Sequence, residues 1–337
     1  MVNWITKRLL KSVFTLWAVV TITFGLIRLM PGGPIANIRA TIIQRRGASE
    51  LTEERLNRLV ELYINVSPDK PMWMQYLDYL SSVFRGDFGE SMRYNEPVMK
   101  IIAEAAPWTI FIILTSLILS FVIGITLGAL MAYFENSPFD NVLSSLSTLL
   151  TSIPFYLVGI LLLYLFAYQY SLFPTGGRMP TRAEIGLNAE FLLGVLYHAA
   201  LPILSMVLTE FGGWALSMRG NSISVLGEDY THVARLRGVP DWQVAIKYVG
   251  RNAILPMYTG LMIAIGFVLG GAVILERIFT YSGLGYYIIT AINARDYPLM
   301  MGAFLVITVC VVVGVLFADL TYGKIDPRIG GESNEQY

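Results

Sequence analysis

Cysteine and histidine are almost missing from this chain of 337 residues, which has one Cys (Cys310) and two His (His198 and His232). A disulfide framework needs paired cysteines, and a structural zinc site needs about four Cys or His ligands, so both are excluded within the chain. Charge is scarce as well: 14% of residues are charged, against about 25% in an average soluble domain. The 24 Lys and Arg balance the 24 Asp and Glu, which leaves neither a basic nucleic-acid footprint nor an acidic tail. There is no Gly-x4-Gly-Lys-Ser/Thr loop, so ATP is not bound through a P-loop in this chain. A His-Glu-x-x-His pair, a nucleophile elbow and paired carboxylates inside the apolar runs are also missing. No catalytic residue and no cofactor are expected. Cys310 reads as a small apolar residue and His198 as an interfacial hydrogen-bonding one.

What the chain has in excess is apolar length, with 55% hydrophobic residues. No Asp, Glu, Lys or Arg occurs between Glu104 and Glu135, between Asp140 and Arg178, between Arg251 and Glu276, or between Asp296 and Asp319. Each gap holds the roughly 20 apolar residues that a helix needs to cross ~30 Å of hydrocarbon. A further span, residues 198–217, is interrupted only by Glu210. Another covers 12–27, and Lys11 and Arg28 at its ends have stems long enough to snorkel. Cations precede this span as in a signal peptide, but no small-residue cleavage site follows before Met30-Pro31-Gly32-Gly33-Pro34, so it reads as an uncleaved first helix. The expectation is an all-α polytopic membrane protein with six transmembrane helices.

Lys7, Arg8 and Lys11, then Arg235, Arg237 and Lys247, then Lys324 and Arg328 collect on one side, which the positive-inside rule makes cytoplasmic together with both termini. The segment between the first two spans is too long to count in that rule and lies outside. Within it, Thr52 before Glu53-Glu54 and the spacing of Leu56, Leu59, Val60 and Tyr63 predict a helix. Pro71 opens a second, with Trp73, Leu77, Leu80 and Phe84 expected on its apolar face. Such a segment can be a helical cap or a docking surface. Asn65-Val66-Ser67 fits a glycosylation acceptor, a pattern short enough to arise by chance.

The cytoplasmic stretch between the fourth and fifth spans carries the most specific pattern. A short helix through His232-Val233-Ala234-Arg235 and Arg237 breaks at Gly238-Val239-Pro240, and a second helix begins at Asp241 and re-enters the membrane at Ile254-Leu255-Pro256. A small residue and a glycine break allow such a helix to seat in a groove of a soluble partner. The stretch resembles the EAA loop of ABC importer permeases of the dipeptide/oligopeptide (peptide/nickel) family, with His232-Val233-Ala234 in place of the name-giving Glu-Ala-Ala. Other stretches resemble the same branch in order along the chain: Phe24 to Pro34 (with Gly33 where Asp is usual), Gly86-Asp87-Phe88-Gly89-Glu90-Ser91, Pro97-Val98, Glu276, Gly283-Leu284-Gly285, Arg295-Asp296-Tyr297-Pro298-Leu299 and Asp326-Pro327-Arg328-Ile329.

The resemblance implies a type I ABC importer permease fold and a cell-membrane location. The domains are then a cytoplasmic stub with the first helix (1–30), an extracytoplasmic helical segment (31–106), a permease core (107–323) with its coupling loop at about 219–252, and a cytoplasmic tail (324–337). It implies as partners a second homologous permease, two ATPases that bind ATP and Mg, and an extracytoplasmic solute-binding protein, all serving a pathway for di- and oligopeptides. Oligosaccharides or a nickel chelate suit the same architecture, and a secondary transporter or channel is the alternative of another class. Coupling falls to His232, Val233, Ala234, Arg235, Arg237, Gly238 and Pro240, and the pathway candidates are Glu210, Pro154 and Pro202. A carboxylate at a helix centre costs ~2.5–3.5 kcal/mol on insertion scales, so Glu210 is expected to face a wet pathway or a neighbouring helix. The family pattern does not call for an acid there.

The orientation has a direct check. A cysteine placed at Ser49 should react with a membrane-impermeant thiol reagent in intact cells and one at Ser333 should not; the reverse pattern would invert the topology.

Overall fold

The computed structural model describes residues 2–29, 34–46, 52–64, 69–180, 183, 185–186, 188–266, 268 and 273–325. The stretch 30–33, the Asn65 pattern, 269–272, Asp326-Pro327-Arg328-Ile329 and the labelling positions Ser49 and Ser333 lie outside these residues. In chain order the helices are α1 (Val2–Leu29), α2 (Pro34–Arg46), α3 (Glu53–Ile64), α4 (Met72–Phe84), α5 (Val98–Tyr133), α6 (Pro138–Thr151), α7 (Phe155–Leu162, continued as a π-helix over Leu163–Gln169) and α8 (Ala189–Leu226). Then come α9 (Asp229–Leu236), α10 (Asp241–Gln243, continued as a π-helix over Val244–Gly250), α11 (Arg251–Gly266), α12 (Val273–Ile278), α13 (Leu284–Ala294) and α14 (Tyr297–Ile325). The described residues contain no strand beyond a single antiparallel bridge between Glu90 and Pro97. The all-α expectation holds.

Among the described residues four helices are long and apolar enough to cross a membrane: Thr6–Gly25 within α1, α5, α8, and Tyr297–Leu316 within α14. The continuous span expected between Asp140 and Arg178 is instead two helices, Pro138–Thr151 and Phe155–Gln169, bent by 93°. Pro154 is the cause. It has no N–H to continue the ladder, so the Ser152 N–H closes back on Thr148 and Leu149 and a new helix starts after the proline. The expected fifth span is represented by α11, whose 16 described residues reach about 24 Å at 1.5 Å per residue, short of ~30 Å.

The chain divides into two compact units. The first comprises Met1–Thr109 and Ser282–Leu316. In it α3 forms as expected, with Leu56 and Val60 buried, and packs on α2 through Ile38 and Ile42. The backbone turns at Gly89 with φ +78, where a Cβ would sit 2.1 Å from the Tyr63 carbonyl oxygen, so only glycine fits. The face of α4 is the expected one only at Leu80, which packs on the core with Val20 and Phe24. Gln75 and Tyr79 are buried, whereas Trp73, Leu77 and Phe84 are exposed. The tyrosines explain the rotation: Tyr76 and Tyr79 each place their rings 5.4 Å from Phe24, and the Tyr76 hydroxyl bonds Thr21 Oγ1 at 2.6 Å. Ring contacts to Phe24, with the Tyr76 hydroxyl satisfied, outweigh the stripe of Trp73, Leu77 and Phe84. Asp296, 1% exposed, closes the corner between α13 and α14. It accepts from Ser91 Oγ (2.5 Å), the Arg93 N–H (3.0 Å) and the Leu299 N–H (3.3 Å).

The second unit covers Ile110–Tyr281 and Phe317–Tyr337, and α8 is its axis. Glycines let neighbouring helices approach it closely. A Cβ at Gly124 would lie 2.4 Å from the Trp214 Cβ, one at Gly128 2.3 Å from the Ala215 carbonyl oxygen, and one at Gly212 2.6 Å from the Ser147 carbonyl oxygen. Gly124 and Gly128 form the small-xxx-small spacing through which apolar helices associate by van der Waals contact. At the other end of α6, Arg219 donates from Nε to Asp140 Oδ1 (2.6 Å) and from Nη2 to Oδ2 (2.7 Å). Asp140 is 1% exposed and also accepts from the Asn136 N–H and Ser144. Ser137 caps α6 by accepting from the Asp140 N–H.

Breaking a buried ion pair strands the remaining charge, which typically costs about 3–5 kcal/mol. Asp140→Asn and Arg219→Leu should each destabilise the protein by about 3 kcal/mol. The double variant should lose clearly less than the sum, because both changes remove one shared interaction. Thermal unfolding in detergent checks this; full additivity would show that the pair contributes no coupling.

Candidate functional site

Both regions singled out in the sequence fall in the second unit. Where α6 breaks at Ser152-Ile153-Pro154, a cavity of about 760 Å³ opens against α8. The α8 side is one helical stripe, with Met206, Thr209, Glu210, Gly213, Trp214 and Ser217 at offsets of 0, 3, 4, 7, 8 and 11. Pro154 and Phe155 line the opposite wall. Two of the three pathway candidates, Glu210 and Pro154, therefore share one cavity. Pro202 is buried within α8 and does not line it.

Glu210 is half-buried, and no hydrogen bond or ion pair engages its carboxylate among the described residues. The hydroxyls around it point their protons elsewhere. Thr151 Oγ1 donates to the Ser147 carbonyl (2.7 Å), Ser152 Oγ to the Thr148 carbonyl (2.8 Å), and Thr209 Oγ1 to the Ser205 and Met206 carbonyls (3.1 Å each). Local back-bonding of this kind is what Ser and Thr do on an apolar helix, and it leaves lone pairs as the polar surface they can offer. Trp214 adds an aromatic wall, held edge-on by Phe121 at 5.1 Å. From Glu210 to the Asp140–Arg219 pair is nine residues of α8, about 13 Å.

The segment 229–250 folds as a helix with a glycine stop before a second helix. Thr231 Oγ1 donates to the Leu226 and Glu228 carbonyls and fixes the start of α9. Its end is a Schellman motif: Gly238, at φ +77, donates to the Arg235 carbonyl (2.9 Å), and Val239 donates to the Ala234 carbonyl (3.2 Å). Pro240 then starts α10. Ala234, 3% exposed, faces inward onto Val244 and Val249, so the close approach its small size permits is to its own chain. His232, Val233, Arg235, Arg237 and Gly238 are exposed, and Arg235 pairs with Asp241 at 3.7 Å.

The residue that the sequence reading passed over is Leu236, 88% exposed at the tip of α9, with Tyr230 and Trp242 also turned outward. Leu236 three past Val233 and four past His232, an apolar pair on an exposed helix face, was the available signal. Beneath the segment lies a second cavity of about 1100 Å³, lined by Tyr133, Met218, Arg235, Trp242 and Val249. The segment is thereby joined to the ends of α5 and α8.

Residues 124–331 match the family described as binding-protein-dependent transport system inner membrane components. The chain is 33% identical to a Brucella suis protein that carries the name of a peptide permease, over 98% of this chain and 99% of that one. It is 32% identical to the oligopeptide transport system permease protein AppB of Bacillus subtilis, again over 98% and 99%. It is 30% identical to the dipeptide transport system permease protein DppB of Escherichia coli K12, with the same coverage. With the EAA-like helix, the membrane helices and matches that run from end to end, the chain belongs to the inner-membrane components of binding-protein-dependent transport systems.

Proposed function

We propose that the chain is the membrane-spanning permease subunit of an ATP-driven importer and forms half of a translocation pathway for di- and oligopeptides delivered by a solute-binding protein. The observation that carries this reading is the full-length similarity to the oligopeptide and dipeptide permeases. The other half of the pathway would come from a second permease of the same family. Two cytoplasmic ATPases would bind ATP and Mg and supply the energy, so no catalysis is assigned to this chain. The membrane location follows from its apolar helices, and the proposed arrangement is six spans with both termini cytoplasmic and residues 31–106 outside.

In this scheme α9 seats in the ATPases through its exposed residues, and Ala234 holds the helix against the membrane core. Nucleotide-driven movement would pass to α8 and α5 and open the Glu210 cavity to alternate sides. An oligosaccharide or nickel-chelate permease would share the architecture but would not need an acceptor-rich cavity. A secondary transporter of the inverted-repeat kind would want two broken helices in corresponding positions. The described residues contain one bent pair.

The test is ATP-dependent uptake of a labelled tripeptide by the reconstituted permeases, ATPases and binding protein; uptake without ATP would refute the importer. Within that assembly Leu236→Asp should leave thermal stability unchanged, cut uptake at least tenfold and weaken copurification of the ATPases. Ala234→Trp should instead destabilise the subunit itself by about 1–3 kcal/mol through overpacking. Normal uptake by Leu236→Asp would remove α9 from the interface.

A further inference from the structure

From the cavity beside the α6–α7 break, we infer that it is a recognition site for a primary ammonium group, with Glu210 as its specificity-determining residue. The inference rests on the peptide reading above and deepens it, because the ammonium in question is the free N-terminus of the passing peptide.

Three observations converge on this chemistry. First, Glu210 is the one charged side chain lining the cavity, and no Lys, Arg or His faces it there. Its carboxylate has no partner among the described residues, so it is available to a ligand. Second, Thr151, Ser152 and Thr209 have each committed their hydroxyl proton to a carbonyl of their own helix. They meet the cavity as acceptors. An ammonium is the complementary group, with three donors and no acceptor, whereas a carboxylate would meet like polarity. Third, Trp214 lines the same cavity one turn along α8 from Glu210, and an indole is the aromatic side chain that best attracts a cation. The volume of about 760 Å³ lies within the range of small-molecule sites, about 300–1,000 Å³, and accommodates the leading residues of a short peptide.

A lone unsatisfied carboxylate in an apolar span needs a reason, because a membrane helix gains nothing from carrying one. A neighbouring helix offering a donor would supply that reason, but the wall opposite Glu210 offers Ser152, Pro154 and Phe155 rather than a cation. The site thus presents a carboxyl group and three hydroxyl acceptors before any solute arrives.

The experiment compares uptake of three labelled probes by the reconstituted transporter with wild-type and Glu210→Gln permease: trialanine, N-acetyl-trialanine and N-acetyl-Ala-Ala-Lys. The preference of the binding protein is common to both permeases and cancels in the ratio of variant to wild type. Glu210→Gln should lower trialanine uptake about tenfold, the loss of one charge-assisted hydrogen bond, and leave N-acetyl-trialanine within twofold. Glu210→Asp should recover most of the trialanine uptake, which a merely structural role would not require. A fall in N-acetyl-Ala-Ala-Lys uptake would extend the site to side-chain ammonium groups, and no fall would confine it to the N-terminus. An equal effect of Glu210→Gln on trialanine and N-acetyl-trialanine, with the complex assembled, would overturn the inference while leaving the peptide reading in place. Transport of none of the three by the wild-type assembly would overturn both.

Discussion

The second unit depends on how closely its helices can approach α8. In a bilayer there is no hydrophobic gain from bringing one apolar helix to another, so association rests on van der Waals contact between surfaces that fit. Gly124 and Gly128 on α5 and Gly212 on α8 remove the side chains that would hold the backbones apart. The cavity exists because that close packing stops where α6 breaks. Above Ser147 and Thr151 the helices part at Pro154, and the space between the two walls is the one in which Glu210 stands. Tight contact on either side makes the opening a defined site rather than a loose gap.

The charged groups of the apolar helices follow a related logic. Asp140 is buried, but Arg219 and two further donors engage it, so it acts as a rivet between α6 and α8. Asp296 does the same within the first unit, where three donors hold it at the corner of α13 and α14. Glu210 is built differently. It has the cost of a carboxylate in an apolar span without a rivet's partners, and the proposed recognition rests on that contrast. The α9 segment repeats the distinction in apolar form. Ala234 is spent on internal packing, and Leu236 is left outside.

Much of this was legible in the sequence for physical reasons. Charge-free runs report hydrocarbon thickness, so α5, α8 and the apolar parts of α1 and α14 were visible from composition alone. The glycine at 238 marked the end of α9 because only glycine enters the left-handed region there without strain. Other features depend on which partner a residue meets, and periodicity is silent on that. On α4 the stripe of Trp73, Leu77 and Phe84 stays outside and only its Leu80 packs inward, because the choice of face falls to Tyr76 and Tyr79 through contacts with Phe24 and Thr21. Helix α2 escaped notice because apolar and cationic residues alternate around it without a clean face. The Gly124–Gly128 spacing was present and went unused. The bend at Pro154 could be suspected from the proline, but its size and the cavity it opens required the third dimension. Glu210 and Pro154 are 56 positions apart, and no local pattern brings them together.

The central claim is that the solute crosses this subunit through the cavity that Glu210 and Pro154 share, with access alternating under the control of nucleotide. Side-specific labelling of a single cysteine at Ser152 in the assembled transporter tests it most directly. Ser152 lines the cavity, and its replacement leaves Glu210, the proposed specificity determinant, in place. The account predicts reaction with an impermeant thiol reagent from one side of the membrane in the nucleotide-free state, and from the opposite side once ATP is trapped with vanadate. Reactivity from the same side, at the same rate, in both states would contradict it.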